Sequence, residues 1–60
     1  MASVKVQKEE RKGGLTLWRV ISKEADETVW LRLYCDPHMA VAFAEGFALG
    51  RGIDFEGIDQ

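Results

Sequence analysis

Asp36-Pro37-His38-Met39-Ala40-Val41-Ala42-Phe43-Ala44-Glu45-Gly46-Phe47-Ala48-Leu49-Gly50-Arg51-Gly52 decides how this chain folds. An aspartate before a proline is a helix start: the carboxylate accepts from the first free backbone N–H groups, and proline at the first helical position has no N–H to leave unpaired. Glycine at 50 or 52 stops the helix. The stretch therefore predicts a helix over residues 37–50. Glu45 is the only charged residue between Met39 and Leu49. A helix that is apolar nearly all round must be covered nearly all round. The chain has 60 residues, little material for that cover, so the helix points to a second chain.

Upstream, the pattern changes to period two. Val4 and Val6 alternate with Lys5 and Gln7, a short strand. Glu9 to Gly14 is polar and ends in Gly13-Gly14, a turn signal. Leu15 to Ser22 reads as a second strand, residues 23–27 as a five-residue polar connection, and Thr28 to Tyr34 as the clearest strand, β-branched and aromatic. Setting Val20 opposite Trp30 and Thr16 opposite Tyr34 puts Leu17, Ile21, Val29, Leu31 and Leu33 on one face, with Arg19 as the exception. Thr16, Trp18, Val20, Thr28, Trp30, Arg32 and Tyr34 then share the other. The aliphatic face is expected to receive the helix through Met39, Phe43 and Phe47. Downstream, residues 53–58 form either a short fourth strand or an ordered tail. If they pair, the connection from strand three through the helix is a right-handed crossover. The expected architecture is a small two-layer α+β domain over residues 1–60, a three-stranded antiparallel meander plus one helix in the order β-β-β-α, with room for a fourth strand.

Composition narrows the function classes. A domain this small buries about 60% of its unfolded surface and gains from disulfides, metal or oligomerisation. Cys35 is the only cysteine, so no disulfide forms within the chain, and a reducing cytoplasm is the expected setting. The N-terminal residues carry no apolar signal core, and the helix is too short to cross a bilayer, so no membrane role is expected. Net charge is −2 at a sequence pI near 5.2, against a general nucleic-acid binder. Residues 1–23 carry +4 and residues 24–60 carry −6. A homodimer could set one end against the other, although solvated charges on opposite ends of a small domain explain the same pattern.

With the helix docked, two apolar surfaces remain. Ala40, Ala44 and Ala48 form one small-residue row on the helix, and Ala42, Gly46 and Gly50 another. The chain's own sheet accounts for one row at most, which makes Ala40, Ala42, Ala44 and Gly46 the expected self-association contacts. The second surface is the outer sheet face. Trp18, Trp30, Arg32 and Tyr34 are residue types that dominate binding hot spots, and Asp54, Glu56 and Asp59 add an acidic strip that could also mimic phosphates. With Lys5, the same aromatic face could instead stack single-stranded bases.

Chemical constellations are sparse. Cys35 and His38 flank a helix start where the dipole favours a thiolate, but no third orienting group or oxyanion donor accompanies them, and Asp36 is explained as a cap. Their Cys-x-x-His spacing supplies two of the four ligands of a structural zinc, so only a twofold dimer could complete a Cys2His2 site. Gly50-Arg51-Gly52 follows a helix and is no dinucleotide fingerprint. No catalytic residue and no cofactor are expected. The reading is a cytoplasmic, non-enzymatic, homodimeric module that binds and blocks or regulates another protein, in the manner of the accessory and inhibitor proteins of phages and mobile elements. A single-stranded nucleic-acid binder and an intersubunit zinc dimer are the alternatives.

Overall fold

The computed structural model describes residues 2–25 and 27–59. Strand β1 (Ser3–Arg11), strand β2 (Leu15–Glu24), strand β3 (Glu27–Tyr34), helix α1 (Pro37–Arg51) and strand β4 (Asp54–Asp59) follow one another. The sheet runs β3-β2-β1-β4, so the meander forms as expected and a fourth strand is added beside β1. β4 pairs with β1 in parallel, making a mixed four-stranded sheet with α1 across one face.

The helix ends as its sequence dictates. Asp36 takes an extended backbone, and its side chain accepts from the His38 N–H at 2.8 Å. Pro37 opens the helix, and Gly52, at φ 68°, closes it by donating its N–H to the carbonyls of Ala48 and Leu49. That left-handed conformation favours glycine, which has no Cβ to clash.

The first strand is longer than its apolar core. Glu9, Glu10 and Arg11 belong to β1 and not to a turn, opposite Leu17, Thr16 and Leu15. Only Lys12, Gly13 and Gly14 make the connection, both glycines at positive φ. At the other end of β2, Glu24 pairs with Glu27, so the five-residue connection expected over 23–27 shrinks to Ala25 and residue 26. Asp26 lies outside the described residues, and Ala25 holds φ at 54°, a strained value for a residue with a Cβ.

The tighter turn changes the register. Trp18 faces Tyr34 and Val20 faces Arg32, two positions from the expected pairing. An irregularity between Val20 and Ile21 then sets Trp30 opposite Ile21. Leu31 is the extra residue of this bulge. Trp30 therefore points to the opposite face from Trp18, Arg32 and Tyr34.

The helix also docks on the face opposite to the one expected. Val4, Val6 and Val20 are fully buried beneath Ala40, Ala44 and Ala48, and Trp18, Leu31, Tyr34, Val41, Phe43, Phe47, Ile53 and Phe55 pack around this centre. Met39, expected to anchor the helix, is exposed, while Phe43 and Phe47 flank the core without filling it. Small residues decide the matter: alanines let the helix axis come close to the sheet, and three valines fill the narrow gap. Among the described residues, no fully buried side chain is larger than valine.

Candidate functional site

The sheet face away from the helix is the candidate site. Its members follow from the alternation that points Val4, Val6 and Val20 to the helix. Across β2 and β3 it presents Leu15, Leu17, Arg19, Ile21, Trp30 and Leu33. Leu15, Trp30 and Leu33 are exposed, Trp30 to 68%, whereas Ile21 is buried between its neighbours Trp30 and Lys5. Across β1 and β4 the same face is polar, with Lys5, Gln7, Glu9, Arg11 and the acidic strip Asp54, Glu56 and Asp59. The Lys5 Nζ lies 3.5 Å from Asp59. One half of the open face is thus apolar and the other charged.

Arg19 joins the halves. Its Nε and Nη2 donate to Glu9 Oε2 at 3.1 Å and 2.8 Å, and its guanidinium carbon lies 4.1 Å from the centroid of the Trp30 ring. Arg11 donates to the other Glu9 oxygen at 3.4 Å. The Arg19 hydrogen bonds hold the Glu9 carboxyl below the usual carboxylate range; partial burial opposes this, and the positive charges of Arg19 and Arg11 reinforce it. A fork fixed by a carboxylate and laid on an indole is an ordered side chain, so Trp30 is held in place before anything binds it.

The expected aromatic patch is divided. Trp18, Arg32 and Tyr34 lie on the helix side. Tyr34 packs against Phe43 at 6.0 Å between ring centroids, and the Arg32 guanidinium sits 5.7 Å from the Phe43 ring. Trp30, Asp54 and Glu56 stay on the open face. Leu17 and Leu33, expected beneath the helix, lie on the open face with Leu15, which the sequence pattern placed on neither face. Arg19 carried a usable signal: a cation within an otherwise aliphatic alternation marks a face that is not a core.

On the helix, Ala40 and Ala44 are buried against the chain's own sheet, so they offer nothing to a second copy in this fold. Ala42 and Gly46 are exposed with Met39 and Leu49. A Cβ built at Gly46 meets nothing within 4 Å. Cys35 and His38 are both exposed at the helix start, and among the described residues no group of three or more potential ligands comes together. A cleft of about 130 Å³ opens between the helix end and the β2–β3 hairpin, lined by Ser22, Glu24, Val29, Leu31, Phe47 and Arg51. Its walls carry one hydroxyl, Ser22, and one carboxylate, Glu24. No helix is long and apolar enough to cross a membrane among the described residues.

Comparison of the chain with protein-family models, with curated proteins and with solved structures finds no match.

Proposed function

We propose that this chain is a protein-interaction module that acts by covering a surface of another protein with its open sheet face. The observation that carries the reading is Trp30, the most exposed aromatic side chain, stacked on an arginine that a carboxylate already holds. Tryptophan and arginine are the commonest binding anchors, and ordering them beforehand lowers the entropy lost on association. Leu15, Leu17 and Leu33 supply the apolar surround. The acidic edge formed by Asp54, Glu56 and Asp59 selects a partner with a basic border beside an apolar centre.

Stacking of single-stranded bases is supported less well. Trp18 and Tyr34 lie on the helix side and Lys5 is paired with Asp59, which leaves a nucleic acid one aromatic ring and few free cations.

Affinity capture with immobilised protein tests the reading, comparing the native chain with Trp30→Ala in lysate of the source cells, with and without nuclease. A protein retained by the native chain in both conditions and lost with Trp30→Ala is the expected result. Retention unaffected by Trp30→Ala, or lost with nuclease, overturns it.

A further inference from the structure

The two edges of the sheet are unlike. β4 is six residues long and carries three acids, which repel a second copy of the same edge. β3 is eight residues long and mostly exposed, with the sequence Glu-Thr-Val-Trp-Leu-Arg-Leu-Tyr. It pairs on one side only, with β2, and among the described residues its outer backbone groups meet no other strand. Such an edge is a template for another strand.

The charges of β3 select its occupant. Glu27 and Arg32 are its only ionic side chains. In a regular strand, residues five apart face opposite ways. Here the bulge at Leu31 restores them to one side: Glu27 faces Glu24, Arg32 faces Val20, and both are on the helix side. An antiparallel copy of β3 brings the acid end of each chain beside the basic end of the other. A parallel copy sets like against like.

We infer that two copies of this chain pair through β3, antiparallel about a twofold axis at Val29, to form a continuous eight-stranded sheet. With Val29 opposite its own copy, the faces match over Glu27–Leu31. Thr28 lies opposite Trp30 on the open side, and Glu27 lies opposite Leu31 and beside Arg32 on the helix side. The two Trp30 rings become diagonal neighbours across the axis. The apolar halves of the two open faces merge into one strip bordered on both sides by charge. Pairing consumes both β3 edges and leaves two acidic β4 edges outside, so assembly stops at two. The inference rests on the open-face reading for the use of this strip, but not for its existence.

Sedimentation equilibrium of the native chain, Glu27→Lys, Arg32→Glu and the double variant tests the pairing, with circular dichroism checking each fold. The expected result is a native dimer, a dissociation constant raised about tenfold in each single variant, and recovery in the double variant. Glu27→Lys alone suffices if Arg32→Glu unfolds. A native monomer at all concentrations, or a dimer indifferent to Glu27→Lys, overturns the inference. The register is read by oxidative cross-linking in a Cys35→Ser background: Val29→Cys is expected to link two chains, since directly opposed strand positions lie within disulfide reach. Stronger linking through Leu33→Cys overturns the axis at Val29. A dimer that captures no partner leaves the pairing standing and refutes the proposed function. A monomer whose partner capture depends on Trp30 does the reverse.

Discussion

Under the helix, the sheet offers Val4, Val6 and Val20 to Ala40, Ala44 and Ala48; on the other side it offers Leu15, Leu33 and Trp30 to solvent. The smaller side chains are inside and the larger ones outside, the reverse of what burial of apolar area alone favours. Proximity explains the inner layer: a helix lying close to a sheet has room only for small groups, and the larger Phe43, Phe47 and Tyr34 close its flank. Nothing within the chain explains the outer layer, whose leucines and tryptophan gain little while they face water.

The contrast can be broken most directly at its tightest point. Ala44→Leu forces a bulky group between helix and sheet and is expected to cost roughly 3 kcal/mol, enough to unfold much of a domain this small. Thermal denaturation that leaves the melting temperature unmoved would show that the inner layer is not close-packed. Trp30→Ala is expected to cost only about 1 kcal/mol, the loss of its stacking on Arg19 and of cover over Ile21. Urea titration of the two variants side by side sharpens the comparison; equal losses would make the open face a second core.

Gly46→Ala probes the helix's solvent side. A Cβ there meets open space, so the helix propensity of alanine is expected to add about 0.8 kcal/mol, raising the melting temperature by several degrees. A fall instead would mean that something packs against Gly46. The smallest effect concerns Glu9→Gln. Because Glu9 is held below the usual carboxylate range when folded, its contribution is present above that range and fades as the pH falls through the folded value. Denaturant midpoints measured down the acid limb are expected to vary less with pH in Glu9→Gln than in the native chain.

What the sequence conveyed, and what it withheld, divides along the same line. Asp36, Pro37 and the glycines announced the helix because capping is local chemistry, and period-two patterning announced three strands for the same reason. The choice of docking face was not local. Both faces of the β2–β3 hairpin carry apolar groups, and the helix's own bulk, Met39 and Phe43, suggested the wrong one. Burial went to Ala40, Ala44 and Ala48, whose value lies in how little space they take. The bulge at Leu31 was equally hidden, because Trp30-Leu31-Arg32 reads as ordinary strand and carries no glycine or proline to mark it. The register set by Glu24 opposite Glu27 places Trp30 beside Ile21 on the open face, and the bulge turns Arg32 and Tyr34 to the helix side; together they divide the patch.

β4 sets the order in which this molecule comes together. Val4 meets Phe55, a contact that closes a loop of about fifty residues, whereas β1–β2 and β2–β3 close through short turns. Closure entropy grows with the logarithm of loop length, and a parallel pair returns slightly less per residue than an antiparallel one. The hairpins are therefore expected to assemble first and the last strand to be captured afterwards, and native-state amide exchange is expected to run faster along residues 54–59 than along β1 and β2.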